Sequence, residues 1–170
     1  MKIHVLGVCG TFMGGIAVIA KQMGHEVTGS DKGCYPPMST QLEEQGLELY
    51  NGYNSKDLID IKPDLVIIGN ALGRGNEAVE YVLDNKIPYI SGPQWLSENV
   101  LQHKTVIGVA GTHGKTTTTS ITAFIFEICG LKPSFLVGGV CPDLKTSARL
   151  TDGEHFIIEA DEYDTAFFDK

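Results

Sequence analysis

The sequence predicts an α/β protein built on parallel sheets, and three observations carry that prediction. Apolar runs alternate with stretches of helical spacing along the chain. The apolar runs are continuous and β-branched, the pattern of strands buried on both faces. Two of them pass directly into glycine-rich turns that open helices, "KIHVLGVCGTFMGG" at the start and "KTVIGVAGTHGKTTTT" from Lys104.

Taken in order, "KIHVLGV" is the first strand. After its glycine turn, Ile16, Ile19, Ala20 and Met23 recur at i, i+3, i+4 and i+7, one face of a helix, and Gly24 stands where a C-cap is expected. "HEVTGSD" is a second, short strand with a polar end. "PDLVIIGN", "IPYISG" and "KTVIGVAG" read as buried strands. Between them "NEAVEYVLDN" and "PQWLSENVLQ" read as helices, Pro93 suiting a first helical turn. A fresh strand, glycine loop and helix run from "KTVIGVAG" to "EICG", which divides the chain near His103 into units 1–103 and 104–170. The second unit adds "HFII" and a cluster of acids, too few strands for a whole nucleotide-binding unit. The chain is therefore expected to be part of a longer protein.

Composition narrows the function. With 42% hydrophobic and 20% charged residues, the 170-residue chain can bury a real core. A net charge of -8 and a pI near 5.0 argue against nucleic acid or an anionic membrane as partner. The opening apolar run is too short for a membrane span or a signal peptide. Cys9, Cys34, Cys129 and Cys141 show no CxxC spacing and are expected as free thiols in a reducing cytoplasm.

Two loops carry the chemistry. In "GVCGTFMGG" glycines let backbone approach a phosphate at a helix N-terminus, where the dipole favours negative charge. Gly7 and Gly10 do not give G-x-G-x-x-G, so the dinucleotide fingerprint fails and NAD is disfavoured. Asp31 stands where an acid usually meets a ribose hydroxyl. A glycine turn that merely packs helix on strand stays open as the alternative. In the second loop Gly114, Lys115 and Thr116 supply the end of a Walker A motif, but Val109 occupies its first glycine position. Gly108 and Gly111 give G-x-x-G-x-x-G-K-T instead, with Thr117 to Thr119 capping and packing the helix start. Backbone N–H groups can still cradle phosphates, Lys115 can reach them, and the Thr116 hydroxyl can bind Mg²⁺. "EADEYD" offers Glu159, Asp161, Glu162 and Asp164 as carboxylate ligands on the same side of the sheet.

At "GTHGKTTT" together with "EADE" the chain resembles the Mur ligases, the ATP-dependent amide-bond-forming enzymes of peptidoglycan synthesis. "VLGVCGTFMGGIA" resembles the UDP-sugar-binding domain of the members that act on UDP-N-acetylmuramate. "YPPMST", "IIGNALGRGN", "SGPQWL" and "EADEYDTAFFDK" point within the family to ligation of a salvaged tripeptide, although a sibling that adds L-alanine shares both loops and a non-catalytic UDP-sugar-binding module stays open as a second alternative. The resemblance runs essentially end to end. It implies a Rossmann-like UDP-N-acetylmuramate-binding domain, residues 1–103, followed by the beginning of a P-loop-type ATPase domain, residues 104–170. It implies ATP and Mg²⁺ as cofactors, and UDP-N-acetylmuramate and the murein tripeptide L-alanyl-γ-D-glutamyl-meso-diaminopimelate as substrates. The lactyl carboxylate would be phosphorylated to an acyl phosphate, which the tripeptide's amino group attacks. By position, Lys115 is the catalytic cation, and Gly111, Thr112, His113, Gly114, Lys115, Thr116 and Thr117 hold ATP. Thr116 and Glu159 hold the metal. Gly10, Thr11, Met13 and Gly14 line the UDP diphosphate, Asp31 lies near the uridine, and Asn70 and Arg74 approach the UDP-sugar. For His113 packing of the loop, and for Arg74 an ordinary solvated loop, remain as alternatives. The 170 residues alone are expected not to turn over.

Overall fold

The protein is described from a computed structural model covering residues 1–141, 144–160 and 166–168. Its first sheet has five parallel strands, β1 (Lys2–Leu6), β2 (Glu26–Asp31), β3 (Glu48–Asn51), β4 (Leu65–Ile68) and β5 (Tyr89–Ser91), in the order β3-β2-β1-β4-β5. The helices between them are α1 (Thr11–Gln22), α2 (Met38–Glu44), α3 (Ser55–Ile61), α4 (Glu77–Asp84) and α5 (Gly92–Asn99). This is the expected α/β architecture with a doubly wound strand order. A 3-10 turn at Leu101–His103 then leads into a second sheet. It is made of β6 (Thr105–Val109), β7 (Ser134–Cys141), β8 (Thr146–Arg149) and β9 (His155–Glu159), with α6 (Lys115–Ile128) after β6. The order is β6-β9-β7-β8, with β9 parallel to both neighbours and β8 antiparallel to β7.

Local chemistry sets the helix ends. Asn76 caps α4 by accepting from the N–H groups of Ala78 and Val79, and Ser91 caps α5 through Gln94 N–H, with Pro93 in its first turn. Gly24 follows the end of α1 with φ +90°, a backbone shape that costs glycine little, and its N–H donates to Lys21 O.

Helix α1 departs from its one-sided sequence pattern. Met13 through Ala20 are all buried, while Met23, counted above on the apolar face, ends the helix 37% exposed. The reason is long-range: β7 and β8 pack on the side of α1 that the first sheet leaves open, so the helix is apolar all round. Leu136, Ala148 and Phe156 of the second sheet belong to the same core as Ile3, Val5, Ile16 and Ile19. Gln41 Nε2 donates to Ser147 Oγ at 2.9 Å, and Leu150 N–H to Gln22 Oε1 at 2.7 Å, tying the layers at their rim. Gly15 makes the close approach possible, since a Cβ there would stand 2.5 Å from Leu136 Cδ1 and 3.2 Å from Ala148 Cβ. Gly15→Leu is expected to destabilise the chain by about 1–3 kcal/mol through overpacking, read as a lower urea midpoint with unchanged slope.

On the opposite face of the first sheet, His4 is fully buried. Its Nδ1 lies 2.7 Å from Thr28 Oγ1 and its Nε2 2.8 Å from Ser30 Oγ, and the Tyr50 ring meets it edge-on. Burial lowers its pKa to about 4, so the ring is neutral at pH 7. In the second unit β6 is an edge strand. Here α6 leaves Ile121, Phe124, Ile125 and Ile128 exposed at i, i+3, i+4 and i+7.

Candidate UDP-sugar and nucleotide sites

Chain connections run to opposite sides from β1 and β4, and ligands of open α/β sheets bind outside the strand ends at such a switch point. A cavity of about 290 Å³ lies there, between the glycine loop after β1 and the segment Gly69–Leu72 after β4. Gly7 turns the chain out of β1 with φ +84°, and its N–H donates to Ser30 O at 2.9 Å. Helix α1 then opens at Gly10 without a side-chain cap and with no acid in its first turn, leaving the positive end of its dipole at the cavity wall.

Of the residues singled out in the sequence, Gly10, Thr11, Met13, Asp31 and Asn70 line this cavity. Gly14 and Arg74 are not in its wall. Gly14 instead permits close packing of helix on loop, for a Cβ there would come within 2.9 Å of Val8 O. Arg74 pairs in two-pronged fashion with Glu80, at 2.9 and 3.0 Å, and the same carboxylate accepts Gly75 N–H. Those bonds hold Glu80 below the usual carboxylate range. Asp31 does more than face a ligand. Its Oδ2 accepts Cys9 N–H at 2.9 Å, and its Oδ1 accepts Gly33 N–H at 3.1 Å and the Tyr53 hydroxyl at 3.3 Å. It thereby fixes the glycine loop against the turns that follow β2 and β3.

Tyr53 is a lining residue that the sequence reading missed, and Phe12 and Leu72 are others. The available signal for Tyr53 was its place just past the carboxyl end of a parallel strand, where such crevices are built. Burial, then the neighbouring Asp31 charge, push its phenol up to about 12, so it stays a protonated donor. Lys32 Nζ stands 5.7 Å from its ring centroid.

The cysteine expectation needs correction here. Cys9 and Cys34 are joined as a disulfide with Cα atoms 5.3 Å apart, because the loop after β1 and the turn after β2 leave the sheet side by side. Cys129 is a free, exposed thiol.

The second site sits where β6 gives way to α6. Gly111, Thr112, His113 and Gly114 form an exposed loop, and Gly114 precedes the helix with φ +77°. Lys115 Nζ donates to Gly111 O at 2.8 Å, so a bound phosphate would compete with that carbonyl for the ammonium. Thr116 Oγ1 donates to Glu159 Oε2 at 3.2 Å, and Glu159 Oε1 accepts Gly138 N–H at 2.7 Å. The parallel pairing of β6 with β9 brings these groups together, opposing Val109 to Glu159. Thr117 is exposed, while Thr119 is buried and bonds back to Lys115 O at 2.8 Å. Asp161, Glu162 and Asp164 lie outside the described residues.

Among the described residues no three His, Cys, Asp or Glu side chains gather into a metal cage. A hydroxyl and a carboxylate 3.2 Å apart nevertheless fit Mg²⁺. That ion usually takes only one or two protein oxygens beside a nucleotide and fills its octahedron with phosphate and water. No helix among the described residues is long and apolar enough to cross a membrane.

The chain is 60% identical over all 170 residues to the UDP-N-acetylmuramate–L-alanyl-γ-D-glutamyl-meso-2,6-diaminoheptandioate ligase of Escherichia coli K12, covering 37% of that protein. It is 38% identical over 167 residues (98% of the chain) to the UDP-N-acetylmuramate–L-alanine ligase of Syntrophomonas wolfei, covering 35% of it. The chain thus spans little more than a third of the curated relatives it matches. The crystal structure of the UDP-N-acetylmuramate:L-alanyl-γ-D-glutamyl-meso-diaminopimelate ligase from Neisseria meningitides superposes with a TM-score of 0.94 at 54% identity, over 99% of this chain and 55% of that one. Residues 2–104 match the Mur ligase family, catalytic domain, and the chain belongs to the Mur ligase family.

Proposed function

We propose that the chain supplies the UDP-sugar site and the phosphate loop of an ATP-dependent ligase. The enzyme joins the tripeptide L-alanyl-γ-D-glutamyl-meso-diaminopimelate to UDP-N-acetylmuramate through an acyl phosphate. The observation that carries the reading is the Thr116–Glu159 contact directly after Lys115 at the start of α6. It gathers, at one helix N-terminus, the hydroxyl, carboxylate and ammonium that handling of a metal-bound triphosphate requires. The choice of tripeptide over L-alanine is supported by 60% identity to a tripeptide ligase against 38% to an alanine ligase.

In this reading residues 1–103 bind UDP-N-acetylmuramate and residues 104–170 belong to the ATP-binding unit, with both substrates drawn from the cytoplasm. The start of α1 and the Gly10–Met13 turn hold the diphosphate, and Asp31 and Asn70 orient the nucleoside and sugar. Lys115 exchanges the Gly111 carbonyl for phosphate oxygens and offsets the negative charge gathered as a carboxylate meets a γ-phosphate. Thr116 and Glu159 would hold Mg²⁺, which supplies further positive charge against the same repulsion. The exposed apolar stripe of α6 supports a site completed by further chain, so the 170 residues alone should not ligate.

Thermal unfolding tests the reading, with UDP-N-acetylmuramate, UDP, NAD and Mg²⁺-ATP compared. A ligand at a hundred times its dissociation constant stabilises by about 2.7 kcal/mol, several degrees in midpoint. A shift with UDP-N-acetylmuramate is expected; a shift with NAD alone would overturn the ligase assignment, whereas turnover by the isolated 170 residues would overturn only the need for further chain. Tyr53→Phe removes the hydroxyl that donates to Asp31 in the cavity wall and is expected to weaken UDP binding about three- to tenfold, measured by calorimetric titration.

A further inference from the structure

We propose that Cys9 and Cys34 are a reversible thiol–disulfide pair that tunes how tightly the first glycine loop holds a nucleoside diphosphate, an inference that rests on the UDP-sugar reading above.

Both ends of the bridge belong to the site's framework. Cys9 lies between Val8, whose N–H reaches Ser30 O, and Gly10, which lines the cavity. Its own N–H is held by the Asp31 carboxylate, which also lines the cavity. Cys34 closes the turn in which Gly33 N–H donates to the same carboxylate. The Cα separation of 5.3 Å lies in the range that a disulfide spans without backbone movement. Neither cysteine is in the cavity wall, so the bridge leaves the ligand's space open. Cys34 opens instead on a separate surface depression of about 350 Å³ bounded by Lys32 and Tyr35. A small disulfide can reach it there without crossing the ligand cavity.

The oxidant is a low-molecular-weight disulfide, RS–SR. The Cys34 thiolate attacks one of its sulfurs, the RS–SR bond breaks, and RS⁻ leaves, giving a mixed disulfide. The Cys9 thiolate then attacks the Cys34 sulfur, closing the bridge and releasing the second RS⁻. Two protein thiols are oxidised, one external disulfide is reduced, and the two thiol protons end on the released thiolates. Bridging orders in advance the loop that must wrap a diphosphate, so the oxidised form binds more tightly. Reduction, the resting condition of a cytoplasm, returns the ordering cost.

The test titrates UDP-N-acetylmuramate into the chain after equilibration with oxidised glutathione or with dithiothreitol, in a Cys129→Ser, Cys141→Ser background that leaves only Cys9 and Cys34 to bridge. The oxidised form is expected to bind about three- to tenfold more tightly, the scale of one or two ordered side chains. Cys34→Ser should bind with the affinity of the reduced form in both buffers. Equal affinities in the two states, or peptide mapping without a Cys9–Cys34 link after oxidation, would overturn the proposal. If neither state binds the UDP-sugar, the ligand reading falls instead. Hydrogen exchange then decides the clamp: slower exchange at the Cys9 amide in the oxidised form sustains it, and equal exchange ends it.

Discussion

Lys115→Ala is expected to lower ATP-dependent ligation about 10²–10³-fold in a protein of the relatives' full length, the loss typical when one preorganised charge-stabilising donor is removed. UDP-N-acetylmuramate affinity should not change, because Lys115 opens α6 after β6 and is not in the wall of the cavity at the first sheet. Steady-state rates and calorimetric titration of the UDP-sugar together check both halves. The fold should survive, since the helix start is secured by the Thr119 hydroxyl, which donates to the Lys115 backbone carbonyl and does not depend on the ammonium. Lys115→Arg should rescue little, because a planar fork does not reproduce a compact ammonium inside a tight phosphate turn. Full activity in the alanine variant would remove Lys115 from the chemistry and with it the second loop's assignment.

Acidification is expected to cost the chain about 3 kcal/mol of stability between pH 6.5 and pH 4 through His4 alone, from a pKa lowered to about 4. The sign follows from proton binding. An unfolded histidine takes up its proton near pH 6.5, whereas the buried one resists until about pH 4, so in that window the unfolded chain binds more protons. The stabilisation is complete above pH 6.5 and is lost as pH falls. The groups facing the ring are the Thr28 and Ser30 hydroxyls and the Tyr50 ring, none of them an anion that would compensate a buried imidazolium. His25, also lowered by burial, pushes the same way. Urea unfolding at intervals from pH 7 to pH 4.5 should show a steep decline in the wild type. In His4→Asn the dependence should be much flatter, from a lower starting stability. Parallel pH profiles in the two proteins would place the sensitive group elsewhere. Ser30 also holds the Gly7 and Val8 amides through its carbonyl, so the loss should be felt at the cavity beside the first glycine loop before the whole chain unfolds.

Much of this was written in local sequence. The strands β1, β2, β4, β5, β6 and β9 each stand where an apolar run ends in glycine or polar residues, and the two loops announced themselves through glycine spacing and the Gly-Lys-Thr triplet. What escaped depends on distance along the chain. Elements β3, α2 and α3, only 4 and 7 residues long, are too short for periodicity to separate from noise. The two-sided burial of α1 depends on residues more than a hundred positions away, and a helix pattern cannot state how many layers will cover it. The Cys9–Cys34 bridge spans 25 residues without a motif and depends on two turns leaving neighbouring strands together. Arg74 looked like a cation waiting for a ligand because Glu80 reaches it only once α4 has turned. Glu159 was legible as an acid after a strand. Its approach to Gly138, where a Cβ would meet the carboxylate at 3.0 Å, required the order of the second sheet.

A helix shared by two sheets changes what can count as a moving part. The first sheet cannot swing against the β7–β8 hairpin without pulling Gly15 off Leu136 and opening a void through the common core, so no hinge runs along α1. The cavity that would receive the carboxylate donor and the loop that would deliver its phosphate are thus mounted on one rigid block. Any closing motion that brings a third reactant to them has to come from outside it, and calorimetry of these residues should record a single melting event across both sheets.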